Sequence, residues 1–448
     1  MKDFKRTMTT VFILLLTTLM YGQKKWTLQE CIDYAMQNNI TLQQSRLKKQ
    51  SATEEKKQSQ AALFPSLSAS TNHSVGYRPW QASGMATVSN GTVNTSVSKT
   101  YYNGTYGINA SWTVWNGNQN RNQVKLNEVS EEQAELSIAE TANSIQEKIA
   151  QLYVQILYMN EAIKVQKESL ETSKKNEERG KEIVEVGKMS KADLAQLTAQ
   201  RATDEYNVIE AESNIANYKL QLKQLLEITG DEPFDIAIPD ATDEQALAEI
   251  PSLGSVYESA LTFRPEIQSS ELSLKSSDLQ MKIAKAGRLP TLSMTGSLGT
   301  STTSMSTSKW GNLMKTNFDA TVGASISIPI FDNRKAKTAI NKAKIQREQA
   351  LLDIQDKQKK LYSTIEGFWL DANTNQQKFK AAVASVASEQ ASYDLLSEQF
   401  NVGLKNIVEL LTGKDKLLAA QQNRLQSKYM TILDQQLLRF YKGEHLSL

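Results

Sequence analysis

The chain has 448 residues, 51 Lys and Arg against 49 Asp and Glu, a formal net charge of +2, two histidines and one cysteine. Near-neutrality without a basic stripe argues against nucleic acid as a partner, and a lone cysteine excludes an internal disulfide. Cys31, His73 and His445 are too few for a Cys/His metal cluster.

Lys2, Lys5 and Arg6 precede an apolar run from Val11 to Met20, which ends at Tyr21-Gly22. This reads as a secretory signal over residues 1–22, cleaved near Gly22. The run is too short for a membrane span, which needs about 20 residues; the alternative is an uncleaved N-terminal anchor. Loss of this segment would remove three basic residues and one acidic, leaving the chain neutral. A helix follows over about 28–62, with Leu28, Cys31, Ile32 and Ala35 on one face, so Cys31 reads as a small buried residue.

Strict alternation begins next. Leu67, Ala69 and Val75 alternate with Ser68, Ser70, Asn72 and Ser74, although Thr71 and His73 interrupt the apolar face. From Tyr102 to Val114, Tyr106, Ile108, Ala110 and Trp112 alternate with Thr105, Asn109, Ser111 and Thr113. Period-two alternation predicts strands with one apolar and one polar face. Gly-, Ser-, Thr- and Asn-rich residues 76–100 between them read as a surface loop. After Asn116 a helical pattern runs without Pro to about Arg179, spanning roughly 90 Å at 1.5 Å per residue. A tip near 179–190 carries Gly187, and a returning helix reaches about Ile228. A connector at 229–251 holds Pro233, Pro239 and Pro251.

The second half repeats the first. AMQNNITL at 35–42 aligns with ALTFRPEI at 260–267, an offset of 225, and Val186-Gly187 aligns with Val402-Gly403, an offset of 216. Strands are predicted again near 290–331, with Phe318, Val322, Ala324, Ile326 and Ile330 on one face and a loop at about 300–316. A second long helix covers 334–399, and a tip lies near 400–406. The organisation is therefore a leader (1–22), a first repeat (23–228), a connector (229–251) and a second repeat (252–448).

Four strands cannot close a membrane barrel, whose minimum is about eight, and an open edge in lipid leaves unpaired backbone groups at several kcal/mol each. A barrel must then be shared between chains: three copies give twelve strands, polar positions toward a water-filled lumen and apolar ones toward lipid. The expected class is α+β, a trimeric 12-stranded barrel continued by long helices. A small β-sandwich in a periplasmic coiled-coil or adaptor protein is the alternative. No catalytic constellation emerges: acidic residues sit on helices interleaved with Lys, the pattern of a solvated face, and Gly413-Lys414 lacks the glycine spacing of a phosphate loop. No enzyme activity, cofactor or metal is expected.

The duplicated order of LQECIDYAMQNNITLQQS, LFPSLSAS, RLPTLSMT, WTVWNGNQNR, ISIPIFDNRK, EVGKMSKADLAQLTAQ and NVGLKNIVELLTGKDKLL resembles the outer membrane efflux protein family over essentially the whole mature chain. The resemblance implies a homotrimer in the outer membrane with a helical tunnel in the periplasm. It implies a passive exit duct for an efflux or export system, docked to a periplasmic adaptor (membrane fusion protein) and an inner-membrane pump. It also implies a gate at the tips. Lys405 takes the position of an Arg that bonds an Asp on the neighbouring hairpin, and Asp193 takes that Asp position. Phe400 replaces a hydroxyl-bearing Tyr, Glu409 stands as a ring acid at the entrance, and Thr412 replaces a second acid. Gly187, Leu194, Gly403 and Leu410 fall where the adaptor would dock.

Overall fold

The computed structural model describes residues 25–80, 84–88, 91–95, 98–230, 233–239, 242–306 and 308–447; the predicted leader lies outside them. Two compact units divide the chain. One comprises Lys48–Ala134 and Ser270–Asp353; the other takes the segments up to Leu47, Glu135–Ser269 and Ile354–Leu448.

The unit at 48–134 and 270–353 holds the sheet. Strands β2 (Ser66–Tyr77), β5 (Thr100–Trp115), β7 (Thr291–Thr303) and β8 (Asp319–Ser327) pair antiparallel in the order β2-β5-β7-β8. The registers carry the alternation across the whole sheet. Leu67 lies opposite Ala110, Ala110 opposite Gly296 and Gly296 opposite Val322; on the other face Ser70 meets Gly107, and Ser297 meets Thr321. The apolar residues therefore line up on one face and the polar ones on the other. The two residues that interrupt β2's apolar face satisfy each other: Thr71 Oγ1 and His73 Nε2 share a 2.9 Å hydrogen bond, and His73 Nδ1 contacts the Tyr102 hydroxyl.

Two expectations for the sheet region are corrected. β8 stops at Ser327 rather than continuing to Ile330, because Pro329 has no N–H for the ladder. The stretches read as loops are partly ordered: β2 reaches Tyr77, short strands β3 (Gly84–Val88) and β4 (Gly91–Thr95) form a hairpin, β7 reaches Thr303, and a helix occupies Trp310–Thr316.

The other unit is helical, and several of its helices include residues of the sheet unit. The predicted first helix is two, α1 (Leu28–Asn38) and α2 (Ile40–Ala61), split at the extended Asn39, and its repeat is likewise split at Arg264 into α6 (Leu253–Phe263) and α7 (Pro265–Ala286). Thr27 and Glu30 form a capping box on α1. Asn39 replaces the lost helical bonds by accepting from Leu42 N–H and donating to the Leu225 carbonyl. At Arg264 the cause is the following Pro265, which disfavours helical backbone in the residue before it. The first hairpin consists of α3 (Gln119–Glu185) and α4 (Lys191–Leu225). The short connector helix is α5 (Asp243–Ala246), α8 (Trp310–Thr316) is the helix in the second loop and belongs to the sheet unit, and the second hairpin is α9 (Lys335–Asn401) and α10 (Ile407–Lys442).

The unit's largest core joins Cys31, Ile32, Tyr153, Ile156, Leu222, Ile236 and Leu438, all buried. The connector closes it: β6 (Asp235–Ile236) pairs parallel with β1 (Lys25–Trp26), and Tyr153 donates to the Ala237 carbonyl at 2.6 Å. Among the described residues no helix is long and apolar enough to cross a membrane.

Candidate functional site

The two hairpin tips come together in the helical unit and use the same turn. Gly187 (φ 73°) and Gly403 (φ 81°) adopt left-handed backbone, which only glycine takes without steric cost. Gly187 N–H reaches Val184 O and Lys188 N–H reaches Ile183 O; Gly403 N–H reaches Phe400 O and Leu404 N–H reaches Gln399 O. This paired bonding ends α3 and α9 alike.

The returning helices also start alike. Ser190 Oγ accepts from Asp193 N–H at 3.0 Å and donates to Asp193 Oδ2 at 2.8 Å. Asn406 Oδ1 accepts from Glu409 N–H at 2.9 Å, and Glu409 Oε2 accepts from Asn406 N–H at 3.2 Å. Asp193 and Glu409 are thus the third residues of two capped helix starts, where a carboxylate also meets the positive end of the helix dipole. Lys405 Nζ is held 2.5 Å from Glu409 Oε1. That hydrogen bond, and then the Asn406 N–H, keep the Glu409 carboxyl below its ordinary range.

Between the tips lies a cavity of about 960 Å³ whose wall includes Gly187, Asp193, Phe400, Gly403, Lys405 and Ile407. Five of the nine tip residues singled out in the sequence therefore line one space. Leu194, Glu409, Leu410 and Thr412 are not part of its wall. Leu410 is buried with Leu197 and Ile407, and Phe400 and Met189 pack on that cluster. Within this chain Asp193 and Lys405 are not paired with each other; each is engaged by a residue of its own hairpin. Apolar side chains that remain open at the tips include Val186, Val402, Leu404 and Val408, of which Val402 and Leu404 are 71% and 75% exposed.

Behind the tips is a cluster the sequence did not disclose. Lys414 on α10 and Asp204 on α4, 4% and 2% exposed in their side chains, form an ion pair. Ser173 on α3 completes it: its hydroxyl donates to Asp204 Oδ2 at 2.5 Å and accepts from Lys414 Nζ at 2.6 Å. Gln200 Nε2 adds a 3.2 Å bond to Asp204 Oδ1. Burial, and then the Asp204 charge, raise the adjacent Asp415 carboxyl against the opposing pull of Lys414. The only sequence trace was Lys414 itself, the position of α10 that matches Thr198 of α4 at the 216 offset. Among the described residues no group of three or more His, Cys, Asp or Glu could hold a metal ion.

Solved structures share this fold. The chain aligns with CusC at a TM-score of 0.79 and 17% identity, over 95% of this chain and 96% of that one. The Campylobacter jejuni CmeC outer membrane channel gives 0.76 at 20% identity, covering 94% and 87%. Vibrio cholerae VceC gives 0.75 at 17%, covering 94% and 97%. Among curated proteins, Escherichia coli outer membrane protein TolC is 25% identical over 256 residues, 56% of this chain and 51% of that protein. Brucella suis outer membrane efflux protein BepC is 23% identical over 250 residues, 56% and 52%. The chain thus spans about half the length of these curated relatives in the matched regions. The profile of the outer membrane efflux proteins matches residues 31–227 and 256–444, most of both repeats, and the chain belongs to the outer membrane efflux protein family.

Proposed function

We propose that three copies of this chain form a passive duct through the outer membrane, the exit of an efflux or type I-like export system fed by a periplasmic adaptor and an inner-membrane pump. The observation that carries the reading is the sheet: four strands with segregated faces, in which β2 and β8 each have one strand neighbour among the described residues. Such a sheet, apolar on one side and open at both edges, is unstable alone in water or in lipid. Pairing β8 of one copy with β2 of the next closes twelve strands and removes every edge. Val322, 83% exposed in the single chain, then faces lipid, and Ser297 and Thr321 face the lumen. The duct needs no cofactor and performs no chemistry. Its periplasmic mouth is the tip cavity, where Asp193, Phe400, Lys405 and Glu409 set the resting gate and Gly187, Leu194, Gly403 and Leu410 lie in the adaptor-docking region.

Native mass measurement in mild detergent tests this by an expected three-chain species in the outer-membrane fraction. A stable folded monomer in membranes would overturn it in favour of a periplasmic coiled-coil protein.

A further inference from the structure

The two loops at the far ends of the strands differ. The first carries the β3–β4 hairpin. The second folds α8 back against the sheet, and the contacts fix which side it takes. Thr300 Oγ1 donates to the Met314 carbonyl at 2.8 Å, and the Trp310 ring meets the Tyr106 ring edge-on at 6.3 Å. Thr300 and Tyr106 are register partners on the apolar face, the face that also carries Ile108, Ala110 and Leu298. Asn317 clamps the helix end by donating to the Ser301 carbonyl at 2.7 Å. Thr300 lies three residues inside the end of β7, so α8 sits roughly 10 Å down the side of the sheet.

A helix on this face meets lipid, because beyond Thr71 and His73 the face carries exposed apolar residues, Leu67, Ile108, Leu298 and Val322 among them. The residues of α8 suit an interface: Leu313 and Met314 are partly covered against the sheet, while Trp310, Lys309 at its cap and Lys315 are exposed. Trp and Lys at such a depth are anchors of the headgroup layer. Beside α8 the sheet forms a shallow cavity of about 360 Å³ whose lining includes Ala69, Tyr106, Ile108, Leu298, Thr300 and Phe318. Its walls are mostly apolar, and the α8 residues that touch its lining, Trp310 on Tyr106 and Met314 on Thr300, are each next in sequence to an exposed lysine, the complement of a lipid with an acyl chain and an anionic head.

We propose that α8 and this cavity form a lipid-binding site, in which an acyl chain lies along Ile108 and Leu298 while Lys309 and Lys315 attract the anionic head of the lipid. The site rests on the membrane-barrel reading above. The test uses the full chain reconstituted in phosphatidylcholine bilayers alone, or doped with phosphatidylglycerol or with a diphosphorylated glucosamine lipid, and measures the lipid retained after extraction. Both anionic lipids should be retained over zwitterionic phosphatidylcholine, and K309Q with K315Q should lower that retention roughly 25-fold, about fivefold for each lysine. Equal retention of zwitterionic and anionic lipids, or retention unchanged in the double variant, would overturn the proposal. Quenching by brominated acyl chains separates the two readings. Trp112 lies on the same apolar face toward the other end of β5. Loss of quenched signal in both W112F and W310F supports both readings; loss in W112F alone keeps the barrel and rejects the α8 site; loss in neither rejects the barrel itself.

Discussion

At the 216-residue offset relating the two hairpins, Gly180 and Leu197 of the first correspond to Leu396 and Gly413 of the second. The glycine has changed helices. A Cβ on Gly180 would come 2.5 Å from Leu197 Cδ1, and one on Gly413 would come 2.7 Å from Leu396 Cδ1. Each hairpin therefore needs one small and one large residue facing each other near its tip, and either helix can supply either. The polar content does not follow this exchange. In the first hairpin Glu177 ties α3 to α4 through Arg201 at 2.8 Å and Thr198 at 3.1 Å. Burial pushes its carboxyl up, but the hydrogen bonds from Lys181 and Thr198 and the charges of Lys181 and Arg201 outweigh that and leave it low. The second hairpin has Tyr393, Lys414 and Leu417 at the positions of Glu177, Thr198 and Arg201. At these positions near the tip it packs internally through apolar groups, and it sends its cation across to Asp204 and Ser173 of the first. Packing symmetry survives duplication, whereas the charges have become a link between the copies.

The strongest way to break that link is Lys414→Met. It leaves Asp204 buried without its cation, and loss of one partner of a buried pair costs about 3–5 kcal/mol. The expected outcome is a matching fall in denaturant stability of the detergent-solubilised protein. Adding Asp204→Leu should recover most of it, since a well-packed apolar replacement of a buried pair is often neutral. If the double variant is as unstable as the single one, the pair is not the link described.

The exchanged glycines predict unequal costs for the same substitution. An alanine in a helix gains up to about 1 kcal/mol over glycine, while crowding a packed contact costs about 1–3 kcal/mol. At Gly180 the crowded neighbour is Leu197, which is fully enclosed and has nowhere to go. At Gly413 it is Leu396, which is partly exposed and free to turn outward. Gly180→Ala should therefore destabilise by about 1 kcal/mol, and Gly413→Ala should fall within about 0.5 kcal/mol of neutral. Equal effects would mean that the two hairpins do not differ in packing slack. The caps should be closer in effect: Ser190→Ala and Asn406→Ala each lose a cap worth about 1 kcal/mol, read from protease susceptibility of the respective tip.

Much of this molecule was legible because its periodicities are long. The alternation at 102–114 and 318–326 required a two-faced sheet, and the uninterrupted helical pattern after Asn116 required a long helix. The left-handed turns were visible as Gly187 and Gly403. Ser190-x-x-Asp193 and Asn406-x-x-Glu409 were equally visible as helix-start signatures, yet the family resemblance directs attention to a contact between chains and away from that local role. Three features were not legible. The break at Asn39 has no proline to mark it, unlike that at Arg264. Helix α8 has seven residues in a Gly-, Ser- and Thr-rich stretch, too few for a period to emerge. Lys414 looks like any surface lysine until α3, α4 and α10 are packed, because burial of a charge is a property of three helices and not of one.

The smallest effect is also the one that decides where Lys405 belongs. In the single chain it bonds Glu409, and the depressed Glu409 carboxyl follows from that bond. A carboxyl held below its unfolded value contributes stability that is fully present above the unfolded value and lost as pH falls through the folded one. Protease protection of the second tip should therefore weaken on acidification below the ordinary carboxylate range, and Lys405→Ala should flatten that decline by letting Glu409 return toward its ordinary value. In the proposed trimer a neighbour's Asp193 competes for the same ammonium. If the lysine stays with Glu409, Asp193→Asn leaves the acid decline unchanged and Glu409→Gln removes it. If it moves to the neighbouring chain, Asp193→Asn alters the decline, and Asp193→Ala or Lys405→Ala also raises the resting conductance in planar bilayers. Resting conductance unchanged in both variants assigns closure to the apolar packing of Phe400, Ile407 and Leu410 instead, and Phe400→Ala should then be the substitution that opens the channel.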